Sequence, residues 1–444
     1  MKVIHLLGWY FPESVGGTEI YVAGLCRRLR AADHEVAVAA PIAQGRTAHA
    51  ATRHYVHDDV PVYRYAIPDA PLRNEAYHRV PVRGADELYA WLAEQRPDWL
   101  HVHSFTTGVG LPEIREARRL GIRVVATCHL PGLGYMCRTG ELMQWGRTPC
   151  DGVVWPRKCS ACNLTRLGMS APLASLTAAL PVPLSAGLGA VPGRVGTALG
   201  MSASVAESTE RQRELFDLIE AFVVLNETAR AMLTANGSPA PKIVVNRLGV
   251  GQAGLTRKPG PDARPTAAAP RIGYVGRLHA TKGLVELVRA VMRIPREVSM
   301  SLEIRGPESD VAAQRFAADL RALAAGDPRI QFAPAVSPEE VPRVLAALDA
   351  LACPSICFEN GPTVALEANA VGTPVIASRV GNLQELVDDG VNGRLLPPGD
   401  VAAWSDAIAD VARRPGQIDE WRRRISEPRT MDDVARDYLR LYAA

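Results

Sequence analysis

The sequence predicts an α/β protein made of two doubly wound, Rossmann-like domains facing a cleft. Three observations carry this expectation. At 444 residues the chain is too long for one hydrophobic core and suits two domains with a linker. Short apolar strand-like runs alternate with amphipathic helical ones from the first residues onward, the rhythm of parallel strands joined by crossover helices. That rhythm breaks at 252–270, where a stretch of Gly, Pro, Ala and a few charges cannot build a core and reads as an exposed linker.

Lys2 to Gly8 reads as a strand and Trp9 to Gly17 as a loop. Thr18 opens a helix with Val22, Leu25, Cys26 and Leu29 on one face, and Glu35 to Ala40 returns as a strand. The alternation continues through Trp99 to Ser104, Ile114 to Leu120 and Arg123 to Thr127, so 1–251 is expected to form the first domain. After the linker it restarts with Arg271 to Val275, Leu284 to Met292 and Ser301 to Arg305, and runs on to Val401 to Ala412. This defines a second domain at 271–428. The helix Met431 to Tyr442 has no strand after it, and 429–444 is expected to pack back on the first domain. In open parallel sheets ligands sit beyond the carboxyl ends of the strands, which places the expected site in the cleft.

Lys plus Arg number 50 against 47 Asp plus Glu, so there is no cationic field to hold nucleic acid, and nucleic acid is not an expected partner. The opening Met-Lys-Val-Ile-His-Leu-Leu-Gly is too short for a signal-peptide apolar region and predicts a cytoplasmic protein. Eight cysteines in such a chain point to thiols or metal ligands rather than to a disulfide framework. Leu167 to Gly193 carries no charged side chain, but Pro172, Pro181, Pro183 and Pro192 make it a poor spanning helix. The favoured expectation is a pair of short helices packed inside the protein. The sharper one is a surface that meets lipid, or a lipid-linked acceptor, at the inner face of the membrane.

The segment Ser355-Ile-Cys-Phe-Glu-Asn-Gly-Pro-Thr-Val-Ala-Leu-Glu367 reads as a strand end, a loop and a helix opened by Gly361-Pro362. Free amides around Thr363 and Val364 suit a diphosphate. Glu359 and Glu367 can accept hydroxyl hydrogen bonds from a sugar and a ribose, although two glutamates eight apart also describe an ordinary solvated helix face. In Gly273-Tyr-Val-Gly276-Arg277-Leu-His-Ala-Thr-Lys282-Gly283 a strand ends at Gly276, and Arg277 and Lys282 flank the turn as counter-charges for the diphosphate. Lys282 is one of only five lysines beside forty-five arginines, which mildly favours a point-charge role over chance. Gly16-Gly17 before the first helix would let backbone amides approach a phosphate, although turns use paired glycines as freely. His129 follows the strand Arg123 to Thr127, where catalytic groups are found and where structural histidines are also common.

Taken in order, Gly-Gly-Thr-Glu at 16–19, Gly-Arg-Leu and Lys-Gly at 276–283, the two glutamates at 359 and 367 with seven residues between them, and Val391-Asn-Gly393 followed by Pro397-Pro-Gly-Asp400 resemble glycosyltransferase family 4. That large retaining family has the two-domain GT-B fold, and the resemblance covers nearly the whole chain. It implies that Gly17 backs the donor phosphates, that Arg277 and Lys282 clamp the diphosphate, that Glu367 holds the ribose and that Glu359 binds the transferred sugar. His129 matches the family's histidine near the reacting sugar. Asn382, where members often carry a second glycine, and Asn360, after the first glutamate, depart from the pattern and leave the donor sugar open.

The implied reaction is retaining transfer of a sugar from a nucleotide-diphosphate donor to an unknown acceptor, in glycan, polysaccharide or glycolipid synthesis. The leaving diphosphate takes the acceptor's proton. No Asp-x-Asp stands at a strand end, so no catalytic metal is expected. The rivals are a nucleotide-sugar epimerase on the same fold, which would need carboxylates in the first domain, and a non-catalytic metal or redox sensor.

An insertion at about 130–165 follows His129 and carries Cys137-x12-Cys150-x8-Cys159-x2-Cys162 without a periodic pattern. Four thiolates ending in Cys-x-x-Cys suit a tetrahedral metal site that would organise a structureless loop. Structural zinc is the first expectation and an iron-sulfur cluster the runner-up, against four unligated thiols. The insertion is expected to roof the acceptor side of the cleft.

Overall fold

The computed structural model describes residues 1–14, 16–43, 53–130, 132–251 and 269–444. The expected linker therefore lies outside the described residues except at its last two positions. The chain divides into two compact units, one holding Met1–Gly146, Cys150–Gly251 and Thr430–Ala444, the other Arg147–Pro149 and Gln252–Arg429.

Strands β1 (Lys2–Leu7), β2 (Glu35–Ala43), β3 (His54–His57), β4 (Val60–Ile67), β5 (Trp99–His103), β6 (Arg123–Thr127), β9 (Ala221–Val224) and β10 (Ile243–Val245) form the first unit's sheet. Two-residue pieces β7 (Met143–Gln144) and β8 (Thr148–Pro149) lie between β6 and β9 in the chain. The sheet order is β10-β9-β6-β5-β1-β2-β4-β3, parallel throughout except for the β3–β4 pair. Apart from the β3–β4 edge, chain order grows outward on both sides of the β5–β1 boundary, the kind of point where strand order reverses and open sheets receive ligands. Val3, Ile4, Leu6 and Leu7 are buried on both faces of β1, as a sheet covered by helices on each side requires. The crossover helix Gly17–Ala31 buries Tyr21, Val22, Leu25, Cys26 and Leu29. It starts one residue before the expected Thr18 and is capped by an extended Gly16.

The helix Met431–Ala443 belongs to this unit. Its residues Met431, Val434, Ala435, Tyr438 and Tyr442 are buried at helical spacing. Thr430 caps it in a reciprocal box with Asp433. The Met431 amide donates to the Val250 carbonyl at 3.0 Å. There the backbone is so close that a Cβ on Gly249 would stand 2.2 Å from the Thr430 carbonyl oxygen.

In the second unit, β11 (Arg271–Val275), β12 (Ser301–Arg305), β13 (Ile330–Ala333), β14 (Ala350–Cys353), β15 (Val375–Ser378) and β16 (Gly393–Leu396) form an all-parallel sheet in the order β13-β12-β11-β14-β15-β16. Alternate residues feed different cores. Ala350, Ala352 and Ile376 join the layer of Leu287, Val291, Trp404 and Trp421, whereas Leu351, Cys353, Val375 and Ala377 face Leu345, Ala365 and Leu383. This period of two on a sheet buried on both sides is what doubly wound topology demands. The strand order reverses between β11 and β14.

The apolar stretch 167–193 departs from the favoured expectation of internal helices. It forms the short helices Ala171–Thr177 and Val182–Leu188. On them Leu173, Leu176 and Leu184 are between 51 and 72 % exposed. The prolines keep each helix too short to wrap onto a sheet, and the core beneath the first of them is only Leu164, Ala174 and Met201. Among the described residues no single helix is long and apolar enough to cross a membrane, and this bent pair meets the length and composition test only jointly.

Tyr438 anchors the last helix, since its hydroxyl accepts from the Tyr21 hydroxyl at 3.0 Å and pairs with Thr127 Oγ1 at 2.7 Å. Tyr438→Phe is expected to lower the unfolding free energy by about 1–3 kcal/mol, because two buried hydroxyls lose a partner. Urea titration of the variant checks it, and an unchanged midpoint would contradict the anchoring role.

Candidate functional site

The expected site residues of the second unit lie at its β11–β14 switch point, and those of the first unit follow β1 and β6. In the second unit, β11 ends at Gly276, whose amide donates to the Arg305 carbonyl at 3.0 Å. The Tyr274 hydroxyl donates to the Arg277 carbonyl at 2.7 Å, which fixes the turn. The Arg277 side chain is exposed and has no hydrogen bond or ion pair among the described residues. Lys282 lies in the following 3-10 turn, Ala280–Lys282. Gly283 after it adopts φ +69°, and a Cβ there would stand 1.9 Å from the Pro354 carbonyl oxygen. Only glycine fits that left-handed, crowded position. The close approach is stitched by the Ile356 amide donating to the Thr281 carbonyl at 2.9 Å.

The result is an ion pair between the two turns: Lys282 Nζ donates to Glu359 Oε1 at 2.5 Å. Ser355 Oγ donates to the same oxygen. The Glu359 backbone is held equally tightly, since Gly381 at φ +48° packs against its carbonyl and the Asn382 amide donates to it at 2.7 Å. Asn382 thus places its backbone on the glutamate loop while lacking the glycine expected there.

The helix that follows spans Thr363–Ala370, with Pro362 at its cap rather than in its first turn. The expectation of free amides at both Thr363 and Val364 needs correcting. The Thr363 amide is already given to the Gly361 carbonyl at 3.0 Å, as the tight Gly-Pro turn requires, which leaves Val364 to point outward. Glu367 has no hydrogen-bond or ion-pair partner among the described residues, and burial alone pushes its carboxyl up to about 7.

In the first unit, Gly16 and Gly17 open the first helix. A Cβ at Gly17 would meet nothing within 4 Å, so its approach side is open. The Glu19 carboxylate folds back toward Gly16 and accepts from Ser14 Oγ at 2.6 Å. His129, one residue past Cys128 at the end of β6, is held by a chain the sequence reading missed. His129 Nε2 pairs with His103 Nδ1 at 3.0 Å, and His103 Nε2 pairs with His5 Nδ1 at 2.9 Å. His101 uses both ring nitrogens, Nδ1 with the Tyr442 hydroxyl at 2.6 Å and Nε2 with Thr127 Oγ1 at 2.7 Å. The available signal was His101-Val-His103, polar side chains at alternate positions of an otherwise apolar strand.

His5, His101 and His103 are the set among the described residues whose ligand atoms lie within 4.8 Å of one another. A metal there would have to displace these hydrogen bonds, so the set reads as a relay. His5 Nε2 is buried without a partner. An unpaired buried N–H costs more than an unpaired lone pair, so the proton of His5 belongs on Nδ1. The chain then donates His5 to His103 to His129, and the remaining proton of His129 sits on Nδ1.

Two cavities open in this unit near the carboxyl ends of the strands, and no motif had indicated either. One of about 450 Å³ is lined by Gly8, Trp9, Glu13, Arg64, Asp69 and Thr106. The other, about 290 Å³, is lined by His78, Phe105, Tyr135, Arg138 and Arg211 among others.

The cysteine insertion is not the structureless loop expected, for it contains β7 and the helix Pro156–Arg166, which carries Cys159 and Cys162. Proline at the helix start and an i, i+3 cysteine pair hid that periodicity. It is also tied to the rest of the unit, because Asn236 accepts from the Val154 amide at 2.8 Å and donates to the Gly152 carbonyl at 2.9 Å.

With this geometry in hand, comparison with known proteins is informative. Residues 15–174 match the family model described as Glycosyltransferase Family 4, and residues 269–414 match that of Glycosyl transferases group 1. The chain is 37% identical over 142 residues to D-inositol 3-phosphate glycosyltransferase of Corynebacterium efficiens, covering 31% of this chain and 33% of that one. It is 35% identical over 195 residues to the enzyme of the same name from Nocardia farcinica, covering 41% and 42%. It thus spans about a third to two-fifths of these relatives' length. Its fold is similar to sucrose-phosphate synthase of Thermosynechococcus elongatus (TM-score 0.68, 20% identity, 100% and 98% covered). It is similar too to Anabaena HepE in complex with UDP-glucose (TM-score 0.64, 14% identity, 100% and 99% covered). The fold is of the GT-B class, two α/β units each built on a parallel sheet.

Burial pushes His5 and His129 down to about 3, His78 down to about 4, and His101 and His103 well below their ordinary value. Unfolded imidazoles take up protons near pH 6.5, so their stabilisation is complete above that pH and is lost as pH falls toward 4. Between about pH 6.5 and 5 each group removes about 2 kcal/mol, and Glu113 and Glu367, both pushed up to about 7, have the opposite sign and offset two of them. Urea unfolding near pH 7.5 and near pH 5 should show a clearly lower midpoint in acid. Equal midpoints would contradict neutral, buried histidines.

Proposed function

We propose that the protein is a retaining glycosyltransferase that moves a sugar from a nucleoside diphosphate to an acceptor hydroxyl, in glycan, polysaccharide or glycolipid synthesis. The observation that carries this reading is the Lys282–Glu359 pair at the β11–β14 switch point, followed in the chain by the free amide of Val364 and the half-buried Glu367. Cations, a helix N-terminus and two carboxylates then converge where an open parallel sheet receives a ligand. The same stretch matches the group 1 glycosyltransferase model.

In this reading Arg277, Lys282 and the Val364 amide hold the diphosphate, Glu367 accepts from the ribose hydroxyls and Glu359 from a hydroxyl of the sugar. Gly276 ends the strand at the turn, Gly361 precedes the helix that Thr363 starts, and Gly16 and Gly17 offer their amides to a phosphate. The bond from the anomeric carbon to the β-phosphate oxygen breaks while one to the acceptor oxygen forms on the same face. The acceptor's proton passes to the departing phosphate, whose charge Arg277 and Lys282 stabilise. His129, neutral and with Nδ1–H fixed by the relay, donates a hydrogen bond to the reacting sugar rather than serving as a base. A uridine diphosphate sugar is the first donor to try, because HepE was solved with UDP-glucose.

Lys282 holds a largely buried carboxylate, so its removal risks more than lost binding. Lys282→Gln keeps a donor for Glu359 while deleting the charge. With UDP-glucose and other nucleotide sugars, slow donor hydrolysis is expected from the parent, and about a hundredfold less from Lys282→Gln and from Glu367→Ala at unchanged thermal midpoint. Full activity in either folded variant counts against the assignment. His129→Ala should lower turnover more than donor affinity, and unchanged turnover returns it to a structural role.

The exposed Leu173, Leu176 and Leu184 support a second part of the proposal, peripheral contact with the membrane and a lipid-linked acceptor. Vesicles of mixed neutral and anionic phospholipid should carry the parent upward on flotation but not Leu173→Glu/Leu176→Glu/Leu184→Glu. Parent protein left entirely at the bottom sinks that part alone.

A further inference from the structure

Of the eight cysteines, none is in a disulfide. Cys26, Cys128, Cys353 and Cys357 are buried, whereas Cys137, Cys150, Cys159 and Cys162 are half-buried. Those four, spread over 26 residues of sequence, all line one small cavity of about 40 Å³. We propose that these four thiols bind a single zinc ion as a tetrathiolate that organises the 137–162 segment.

The backbone has already converged on this arrangement. Cys159 and Cys162 lie at i and i+3 on one helix and so present neighbouring thiols. The Cys150 amide donates to the Leu142 carbonyl at 2.8 Å, and the Cys137 amide donates to the Gly132 carbonyl at 3.1 Å. The Trp145 amide donates to Cys162 Sγ at 3.2 Å, the kind of outer-shell hydrogen bond that steadies a metal-bound thiolate. Zinc with four thiolates carries two negative charges. Lys158 and Arg138 both line the cavity, and the rest of its wall is largely apolar, with Met136, Leu142, Val153 and Val205.

Zinc is the first choice of occupant because four thiolates alone close its tetrahedral site; an iron-sulfur cluster takes the same four ligands and is told apart by its iron and sulfide. The sulfurs do not stand in any trio within 4.8 Å of one another. A zinc site with Zn–S bonds of about 2.3 Å needs sulfurs roughly 3.8 Å apart, so binding requires side-chain rotation into the cavity. The ion displaces the proton of each thiol as that sulfur bonds to it.

The site is independent of the donor chemistry, and its test uses no activity. Full-length protein purified without air or chelator should contain about one zinc per chain by elemental analysis, reduced to below about a tenth in Cys159→Ser/Cys162→Ser. Should that variant fail to fold, chelation of the parent gives the same test. Amide exchange should then rise across 137–162 while the strands of both sheets stay protected. Iron with sulfide in place of zinc overturns the proposal, as does neither metal with all four thiols titrating freely. Zinc that survives the double substitution places the ion elsewhere and overturns it too.

Discussion

Three imidazoles in the middle of a parallel sheet are the constraint on which the first unit depends. His5, His101 and His103 are fully buried, and a polar ring taken out of water costs free energy unless its nitrogens find partners. Nearly every partner comes from a different element: Thr127 from β6, Tyr442 from the last helix, His129 from the loop beyond β6. Strand register has to bring His5 opposite His101 and His103 opposite Thr127, and the terminal helix has to dock, before the rings are satisfied. The hydrogen bonds therefore specify the arrangement more than they stabilise it, as buried polar networks do. His129 inherits its orientation from this network, so a group at the edge of the unit is positioned by side chains in the centre.

The second unit solves the same problem of placement with backbone rather than side chains. Gly283 and Gly381 let one loop lie against the carbonyl of another where any side chain would collide. The Lys282 turn is pressed onto the strand-end loop of β14, and the Asn382 turn onto Glu359 itself. The ion pair follows from these approaches. Its members are mostly shielded, with side-chain exposures of 21 and 12 %, so their attraction is screened less than that of a surface pair. Glu367, one turn into the helix Thr363–Ala370, has no such partner, and its burial raises its pKa. A half-buried carboxyl without a partner is one that a hydroxyl-bearing ligand can complete.

Much of this was legible in the sequence, and the parts that were not have physical reasons. The alternation of apolar runs located the strands β1, β5, β6, β11 and β12, because strands buried on both faces carry a continuous apolar signal. The spacing of Arg277, Lys282, Glu359 and Glu367 marked one switch point. The relay was invisible because its members lie on four separated segments and only tertiary pairing joins them. That Thr363 gives its amide to Gly361 while Val364 keeps its own was hidden for a simpler reason: which amide a Gly-Pro turn leaves free depends on local geometry, not on composition. The apolar stretch 167–193 misled because hydropathy reports which residues would prefer burial, not whether a core exists to receive them.

That last point ties the exposed leucines to the cysteines. The helix Pro156–Arg166 supplies Leu164 to the three-residue core that also holds Ala174 and Met201, and this is the cluster on which the helix Ala171–Thr177 rests. Such a core buries too little area to fix its elements alone, since a fully buried leucine contributes only about 1.5–3 kcal/mol against roughly 1–2 kcal/mol of backbone entropy per ordered residue. The helix must therefore be held from its other side. Cys159 and Cys162 occupy that side, facing the cavity shared with Cys137 and Cys150. Whatever draws the four sulfurs together steadies the helix, and through Leu164 and Ala174 it bears on how Leu173 and Leu176 are presented to their surroundings.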